Sequence, residues 1–489
     1  MSVFLLKRNA RSIVAIILAA VCILAASGSA QTLKTLVNFT GTNGSQPYSP
    51  PVQGTDGNLY GVTPEGGANG HGTFYRMTPA GTLTTIFSFC QQSNCTDGAG
   101  PQGGIILGTD GNFYGTTQYG GTGTAFCGEG CGTVFKITPK GVLTTLHSFC
   151  TLSTCTDGYS PIAVLVQGSD GNFYGTVPNG GGSFLQGTVF KITPQGVLTT
   201  LYAFCIQSSC SDGETPLAGL VQASNGAFYG TTAHGGAIGW GEIFSITATG
   251  AFSVVHSFDS TDGANPSTTL IQDSNGLLYG TTQGGGTSTA CFGSSCGTVF
   301  DMTTGGTLTS LLSFDDTNGA FPEYAAMVQG TDGDLYGTTG AGGAHEDAGT
   351  IYKMTTGGSL TTIYNFCSVG ACSDGAGVNA IMQATSGVFY GTTAGGGTSS
   401  EGTLWSLTAG QRAFVSPLPA TGKVGARVLI LGNGFTGATA VSFNGTPATF
   451  TVASATLITT TVPTGATTGK ISVTKSSGAV TSKAAFVVK

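Results

Sequence analysis

One phrase of sequence recurs seven times along this chain of 489 residues, and the repeat constrains the fold more than any other feature. The third copy begins at Val166 as Val-Gln-Gly-Ser-Asp-Gly-Asn-Phe-Tyr-Gly-Thr-Val and resumes at Gly187 as Gly-Thr-Val-Phe-Lys-Ile-Thr-Pro. A Tyr-Gly pair marks every copy, and its tyrosines are Tyr60, Tyr114, Tyr174, Tyr229, Tyr279, Tyr336 and Tyr390. A period of about 50 to 60 residues indicates one supersecondary unit per copy.

Each copy divides into four short strands, which in the third copy are expected at residues 163–168, 172–177, 187–193 and 197–204. Apolar and polar residues alternate along the third of these strands, where Phe190 and Ile192 flank Lys191. The Asp170-Gly171 pair predicts a tight hairpin between the first two strands, because both residue types tolerate the positive φ of such turns. Every copy is therefore predicted to form one small twisted sheet, the blade of a β-propeller.

The strand count predicts how the ring closes. Seven third strands are recognised, but no fourth strand follows the last one. The segment from Leu33 to Phe39, ahead of the first copy, matches the fourth strand from Leu143 to Phe149. We therefore predict an all-β chain in which residues 31–409 form a seven-bladed β-propeller closed by the N-terminal strand, which leaves no free sheet edge.

The composition changes near residue 410, and residues 412–489 read as a small β-sandwich of alternating strands. The stretches Pro419–Gly425, Gly432–Phe435 and Val441–Gly445 resemble the IPT/TIG immunoglobulin-like family. That resemblance implies a structural or interaction module with no catalytic residues. The repeats, in the stretches Gly108–Thr117 and Gly132–Pro139, resemble the GloVer tandem repeat of bacterial exported proteins. This second resemblance implies export and a repeat scaffold, with no activity to transfer.

Residues 1–30 read as a secretory signal peptide, because a basic start precedes an apolar run from Ile13 to Ala26 and small residues at Gly28 and Ala30. We expect the mature protein to be extracellular or at the cell surface, with no membrane span. A lipoprotein anchor at Cys22 is disfavoured, because Val21 stands where a small residue is expected.

Twelve cysteines remain once Cys22 leaves with the signal peptide, and they fall into six close pairs. The expected disulfides join Cys90 with Cys95, Cys127 with Cys131, Cys150 with Cys155, Cys205 with Cys210, Cys291 with Cys296, and Cys367 with Cys372. Disulfides between neighbours are predicted, since an exported protein is exposed to an oxidising environment. Zinc is disfavoured, because neither two-residue spacings nor companion ligands accompany the pairs.

Connection lengths distinguish two faces of the ring. Inter-sheet loops, which lead from one sheet to the next, and mid-sheet loops, which join the second and third strands of a sheet, emerge on the same face. Only the longer loops of either kind contain cysteine pairs, so all six disulfides lie on what we call the cystine-bearing face. A disulfide restricts a loop that buries little of its own surface. Variable loops on a regular scaffold commonly bind ligands, so this face is the predicted binding surface.

Charge excludes one class of partner. Residues 31–409 carry 23 acidic and 6 basic side chains, a net charge of −17, whereas residues 410–489 carry 7 basic and no acidic side chains. The acidic repeat region argues against nucleic acid as a partner. We expect a monomer, with an extracellular polysaccharide or a surface protein as its partner.

Catalytic signals are weak. Most Asp residues directly precede Gly, which marks them as turn formers. The candidate residues of the binding face, which stand outside the repeat pattern, are Glu129, Glu214, Glu323, His345, Glu346 and Asp347. A glycosidase or lyase could draw a carboxylate pair from Glu129 with Glu214 or Glu323, although the sequence gives no distances between them. A solvated loop explains the His345-Glu346-Asp347 group more simply.

Other polar and aromatic positions also have simple structural explanations. His147 and His256 stand at a strand position that is aromatic in other copies, so packing explains them. The seven repeated tyrosines could form a ring of sugar-binding aromatics, but packing between blades is the better explanation. No cofactor is expected; calcium is the one candidate metal, at Asp259–Asp262 or Asp315–Asp316, although neither loop has full calcium-loop spacing.

The sequence thus favours an exported, non-enzymatic binding or adhesion scaffold. Two alternatives stay open. One is a propeller enzyme that acts on polysaccharide through carboxylates of the cystine-bearing face. The other is a structural component of the cell surface or matrix that self-associates through its basic tail.

Overall fold

The computed structural model describes residues 31–152, 154–182, 185–291, 295–323 and 326–489. The predicted signal peptide, residues 1–30, lies outside the described residues. The described chain consists of short strands joined by turns and loops, together with three short 3-10 helices. These helices are η1 (Ser93–Cys95), η2 (Ser208–Cys210) and η3 (Gly370–Cys372).

The repeat region begins with β1 (Thr32–Asn38) and forms seven antiparallel sheets of four strands, numbered 1 to 7 in chain order. Sheets 1 and 2 contain β2 (Val52–Gln53), β3 (Leu59–Thr63), β4 (Thr73–Met77) and β5 (Leu83–Ser88), then β6 (Ile105–Leu107), β7 (Phe113–Thr117), β8 (Thr133–Ile137) and β9 (Leu143–Ser148). Sheets 3 and 4 contain β10 (Val166–Gln167), β11 (Phe173–Val177), β12 (Thr188–Ile192) and β13 (Leu198–Ala203), then β14 (Val221–Gln222), β15 (Phe228–Thr232), β16 (Glu242–Ile246) and β17 (Phe252–Ser257). Sheets 5 and 6 contain β18 (Ile271–Gln272), β19 (Leu278–Thr282), β20 (Thr298–Met302) and β21 (Leu308–Ser313), then β22 (Val328–Gln329), β23 (Leu335–Thr339), β24 (Thr350–Met354) and β25 (Leu360–Asn365).

Sheet 7 combines the two ends of the repeat region. It contains β26 (Ala376–Gln383), β27 (Phe389–Gly395) and β28 (Thr403–Thr408), and β1 supplies its fourth strand. The strands β1 and β28 are antiparallel, with Thr32 opposite Thr408 and Asn38 opposite Thr403. The first strand of the described chain therefore lies beside the last strand of the repeats.

The glycine of each Tyr-Gly pair is explained by the strand next to it. Gly175 in β11 lies opposite Phe190 in β12, and a Cβ at Gly175 would lie 2.7 Å from Cζ of that ring. The same holds in sheet 2, where a Cβ at Gly115 would lie 2.8 Å from Phe135. Because an aromatic ring fills the space that a side chain would need, glycine is required in the middle of a fully buried strand.

The first strand of each sheet is shorter than the sequence predicts. Sheet 3 was expected to begin with a strand at residues 163–168, but β10 spans only Val166–Gln167. The residues just before it, Ala163 and Val164, line a central space instead of pairing with β11. Only β26, with eight residues, reaches the length expected of a first strand.

Neighbouring sheets contact each other through the repeated tyrosines. The ring of Tyr114 in sheet 2 stacks on Phe173 of sheet 3 with centroids 4.0 Å apart, and Tyr336 in sheet 6 packs on Phe389 of sheet 7 at 4.4 Å. All seven tyrosines are buried, as expected for packing between sheets and not for an exposed ring of binding residues.

Hydrogen bonds between sheets run from the hairpin of one sheet to a glutamine of the next. The Ser169 amide donates to Oε1 of Gln222 at 2.9 Å, which joins sheet 3 to sheet 4. The Thr385 amide donates to Oε1 of Gln53 at 2.9 Å, which joins sheet 7 to sheet 1. Sheets 1 and 7 are therefore neighbours in space although they are farthest apart in sequence.

The first strands of the seven sheets, or the residues just before them, line one central cavity of about 430 Å³. One lining residue from each sheet, in order, is Val52, Ile106, Val164, Ala218, Thr269, Val328 and Met382.

The C-terminal region forms two further four-stranded sheets and one short parallel pair. Its strands are β29 (Ser416–Leu418), β30 (Thr421–Gly422), β31 (Arg427–Leu431), β32 (Ala440–Phe443), β33 (Thr446–Ala448), β34 (Phe450–Ser454), β35 (Leu457–Thr461), β36 (Ile471–Lys475), β37 (Gly478–Thr481) and β38 (Val487–Val488). One sheet has the order β29-β31-β35-β34 and the other β33-β32-β36-β37. Ile430 and Ile458 from the first sheet share a single core with Phe443 and Val473 from the second, which accords with the expected sandwich.

This C-terminal region packs against the hairpins between the first and second strands of the repeat sheets. Nζ of Lys483 donates to the Gln329 carbonyl at 2.9 Å and to Oε1 of Gln383 at 3.0 Å. The same ammonium lies 4.5 Å from the centre of the Phe414 ring. Leu431 joins a core cluster of sheets 1 and 2. The C-terminal region therefore covers the end of the repeat sheets that is opposite the cystine-bearing face.

Candidate functional site

The twelve cysteines of the described chain form six disulfides between sequence neighbours, so the predicted pairing is confirmed. The bonds are Cys90–Cys95, Cys127–Cys131, Cys150–Cys155, Cys205–Cys210, Cys291–Cys296 and Cys367–Cys372. Their burial differs from the expectation that the disulfides lie in loops with little buried surface. The second cysteine is fully buried in three of them, namely Cys131, Cys155 and Cys296. These disulfides therefore pack against the ends of the sheets and also close their loops.

Inter-sheet and mid-sheet loops meet at one end of the sheets. Tyr119 of a mid-sheet loop, for example, exchanges backbone hydrogen bonds with Ala99 of an inter-sheet loop, and His234 does so with Glu214. All six disulfides lie in these two kinds of loop. The cystine-bearing face is therefore a continuous layer of loops.

A buried aspartate anchors the disulfide loops from below. The carboxylate of Asp212 accepts hydrogen bonds from the Tyr202 hydroxyl at 2.8 Å and from the amides of Ile206 and Gln207. The Asp374 carboxylate likewise accepts hydrogen bonds from the Tyr364 hydroxyl and the Ser368 amide. These residues precede Gly, and the prediction that they shape turns is correct, but they also fix the loop that follows the first cysteine.

The same arrangement revises the explanation of two histidines. His147 and His256 were expected to be packing residues, and their rings do contact Phe149 and Phe258. Each also contacts a loop aspartate, with Nε2 of His147 at 2.8 Å from Asp157 and Nε2 of His256 at 2.7 Å from Asp262. Sequence reasoning missed this pairing, although a polar aromatic residue that recurs ten or six residues before the aspartate was a usable signal.

A cleft of about 590 Å³ opens on the cystine-bearing face between sheets 1 and 2. His71 lies on one side, Thr96 beside the Cys90–Cys95 disulfide on another, and Tyr119 and Glu129 on the mid-sheet loop of sheet 2. Polar and aromatic groups thus meet in a space large enough for one or two sugar rings or a short peptide, since ligand sites commonly span about 300–1,000 Å³.

The six candidate residues do not converge on one site. Glu129 lines the cleft between sheets 1 and 2. Glu323, near sheet 6, accepts a hydrogen bond from the Gln283 side chain. Glu214 lies near the Cys205–Cys210 disulfide. Among the described residues, each of these carboxylates has different neighbours, so no contact brings two of them together as a catalytic pair.

The triplet His345-Glu346-Asp347 is exposed on the mid-sheet loop of sheet 6. Oε2 of Glu346 lies 3.3 Å from Sγ of Cys367 and 3.6 Å from Sγ of Cys372. Asp347 accepts a hydrogen bond from the Gly342 amide, which turns its carboxylate back onto its own loop. Glu346 and Asp347 therefore contact loop structure, and neither is aimed with His345 at a shared point.

The potential metal ligands are already engaged elsewhere. The three clusters of ligand atoms in the described chain each contain both cysteines of one disulfide, and a disulfide sulfur is not a thiolate ligand. The Asp259 carboxylate, one calcium candidate, accepts the amides of Thr261 and Asp262 in its own loop. Asp315 likewise accepts the Asn318 amide. These carboxylates cap their own turns.

Glu242 is a residue that sequence reasoning missed. It occupies the first position of β16, where the other six sheets have Thr73, Thr133, Thr188, Thr298, Thr350 and Thr403. Its side chain is fully buried, and neither carboxylate oxygen has a hydrogen-bond partner in the described structure. Burial, together with the nearby charge of Asp212, raises the pKa of Glu242 to about 8. The sequence did contain a clue, because glutamate replaces the threonine that the other six repeats have at this position.

Large apolar side chains are concentrated on the cystine-bearing face. Eleven large hydrophobic residues of the described chain are exposed, and seven of them lie in the inter-sheet or mid-sheet loops. These seven are Tyr119, Phe126, Leu152, Ile206, Ile238, Trp240 and Val369. The cystine-bearing face therefore carries most of the large apolar side chains that the described chain exposes.

The fold defines an all-β repeat protein with an appended β-sandwich. A family model described as the Gloeobacter/Verrucomicrobia repeat matches residues 23–223 and 206–405, and an IPT/TIG domain model matches residues 414–488. The chain therefore belongs to the Gloeobacter/Verrucomicrobia repeat family and ends in an IPT/TIG domain.

Solved structures resemble the chain only at low identity. One is described as the extracellular domain of a hybrid two-component system from B. thetaiotaomicron, with 10% identity, a TM-score of 0.49 and coverage of 83% of this chain and 46% of that one. Another is a gluconolactonase from Xanthomonas campestris, with 11% identity, a TM-score of 0.39 and coverage of 79% and 92%. The chain spans about half the length of the first of these. No curated protein matches it significantly. None of the helices in the described residues has the length and apolar character needed to cross a membrane.

Proposed function

We propose that this protein is an exported, non-enzymatic binding scaffold, whose seven sheets are the blades of a closed β-propeller. The pairing of β1 with β28 and the hydrogen bond from Thr385 to Gln53 support closure, because both join the first and last sheets. Six disulfides support export, since they persist in oxidising compartments.

The cystine-bearing face is the recognition surface of this scaffold. The observation that carries the proposal is the concentration of seven of eleven exposed large hydrophobic side chains on it. Short disulfide-closed loops cannot easily collapse to bury such residues, so Leu152, Ile206 and Val369 stay exposed beside their disulfides.

The ligand is an extracellular polysaccharide or a surface protein, and the aromatic residues favour the polysaccharide. Tyr119, Phe126 and Trp240 are all exposed on this face. A sugar ring presents C–H groups that stack on an aromatic ring, and its hydroxyls bond to nearby polar groups. The cleft beside Tyr119 offers both, with His71, Thr96 and Glu129 on its walls.

A glycan array with matched variants tests this proposal. Combined Tyr119→Ala, Phe126→Ala and Trp240→Ala changes should lower binding at least tenfold. Combined Val142→Ala and Val197→Ala changes, which remove exposed apolar residues from the opposite face, should leave it unchanged. Equal loss in both variants, or no polysaccharide bound by the native protein, contradicts the polysaccharide proposal; capture of a defined surface protein through the same residues would favour the protein ligand.

The same polysaccharides should be assayed for release of reducing ends or unsaturated sugars. A non-enzymatic scaffold binds without turnover. Turnover that disappears in Glu129→Gln or Glu323→Gln would instead establish the enzyme.

A further inference from the structure

The central cavity differs in chemistry from the cystine-bearing face. It measures about 430 Å³, and every sheet contributes to its wall through its first strand or the residues just before that strand. Aliphatic residues such as Ile105, Ile162, Leu217 and Met327 dominate that wall, and no charged side chain occurs among the described residues that line it. An ion or a sugar would lose its hydration in this cavity and find few hydrogen-bond partners on the wall to replace it.

The C-terminal domain lies over one end of the cavity. Val52, Ile106 and Met382 line both the central cavity and a smaller one, of about 270 Å³, beneath the C-terminal domain. Phe414 and Leu418 of that domain form the far wall of the smaller cavity. The bond from Lys483 to Gln383 holds the domain in this position. Access to the central cavity is therefore from the cystine-bearing face, where the first strands begin.

Water is held weakly at the wall of such a space. The volume corresponds to about 14 water molecules at roughly 30 Å³ each. Water molecules bond to one another in a space of this size, but those at the wall find few of the two to four polar partners that each needs, so an apolar ligand displaces them readily. Small-molecule sites typically combine this volume with a mostly apolar lining and a few polar groups, and here the polar groups include Ser49, Gln102 and Thr269.

We propose that the central cavity is a binding site for a neutral, largely apolar small molecule that enters from the cystine-bearing face. Charge neutrality follows from the uncharged wall, and apolar character follows from the aliphatic residues. This site is separate from the polysaccharide surface, because its chemistry is opposite and its lining residues lie on the first strands and just before them. The result for one site therefore does not decide the result for the other.

Ser267 provides a suitable position for the test. It lines the cavity, and its Oγ has no hydrogen-bond partner in the described structure. Ser267→Ala removes an unpartnered hydroxyl and preserves the space, whereas Ser267→Phe fills part of it. Ser253→Phe, at an exposed position on β17, adds the same ring outside the cavity.

The probe is N-phenyl-1-naphthylamine, a neutral apolar dye that becomes fluorescent in apolar surroundings. Titration of the intact protein should show saturable binding of one dye per chain. Ser267→Ala and Ser253→Phe should bind within about twofold of the native protein, and Ser267→Phe at least tenfold more weakly. Tyr119→Ala should not change dye binding, which separates this result from the test on glycans.

Two results would overturn the proposal. One is the absence of saturable dye binding to the native protein. The other is unchanged affinity in Ser267→Phe with a normal unfolding transition. If Ser267→Phe does not fold, Val164→Phe takes its place in the test, because Val164 lies on the wall contributed by sheet 3. Its affinity for the dye should also fall at least tenfold.

Discussion

Replacement of Glu242 by threonine or glutamine should remove a large pH dependence of stability. The buried carboxyl group has no hydrogen-bond partner, and its pKa rises from an ordinary value of 4.5 to about 8. Between these values the folded protein holds a proton that the unfolded chain releases. Stability therefore falls as pH rises from about 4.5 to about 8, and becomes independent of this group above that.

The size of the effect follows from the shift. A shift of about 3.5 pH units at roughly 1.4 kcal/mol each corresponds to about 5 kcal/mol. Threonine should restore the pattern of other sheets, where Oγ1 of Thr188 donates to the Asp157 carbonyl at 3.2 Å and Oγ1 of Thr298 to the Asp262 carbonyl at 3.2 Å. An ionised Glu242 cannot donate such a bond, whereas its protonated form can.

Denaturant unfolding at a series of pH values, followed by tryptophan fluorescence, measures this difference. The native protein should lose about 5 kcal/mol relative to Glu242→Gln between pH 4.5 and pH 8. Glu129→Gln, which changes an exposed carboxylate, should track the native protein. A difference between the native protein and Glu242→Gln that stays within about 1 kcal/mol over this range would refute the reasoning.

Two further predictions concern the scaffold. Gly175→Ala should lower the free energy of unfolding by about 1–3 kcal/mol, because its Cβ would lie 2.7 Å from the Phe190 ring. The control Gly128→Ala, whose Cβ would have no atom within 4 Å, should change this free energy by less than about 0.5 kcal/mol. Equal effects of the two substitutions would contradict the packing explanation. Burial lowers the pKa of Lys483 from 10.5 to about 8. Between these pH values the unfolded chain holds a proton that the folded protein lacks, so the free energy of unfolding should rise with pH. The same unfolding assay should show a rise of about 3 kcal/mol relative to Lys483→Met. A flat difference from pH 8 to pH 10.5 would show that the ammonium is not desolvated at the domain contact.

The repeat made most of the sheet architecture predictable. Tyr-Gly pairs, Asp-Gly turns and the match between residues 33–39 and 143–149 together indicate four strands per copy and an N-terminal strand beside the last sheet. Strand lengths were less predictable, because residues before β10 look like strand by composition but line a cavity that only the assembled sheets create. The contact of the C-terminal domain through Lys483 also lay beyond sequence reasoning, since nothing local to that lysine identifies Gln329 and Gln383 as its partners.

Site residues were predicted less well than disulfides. The cysteines are close in sequence, so their pairing needs no knowledge of the distant fold, whereas the burial of Cys131, Cys155 and Cys296 depends on it. Glu129 and Glu323 were grouped because both depart from the repeat, but such departures do not encode distance, and the two have different neighbours. Glu242 departs from the repeat as clearly, yet only burial reveals its unusual environment.

Amide hydrogen exchange of β1 tests the closed ring most directly. If β1 is the fourth strand of sheet 7, the amides between Leu33 and Asn38 that pair with β28 should exchange as slowly as those in the middle of β28 itself. Exchange of these β1 amides at the rate of an unstructured peptide, while β28 stays protected, would contradict a ring closed by the N-terminal strand.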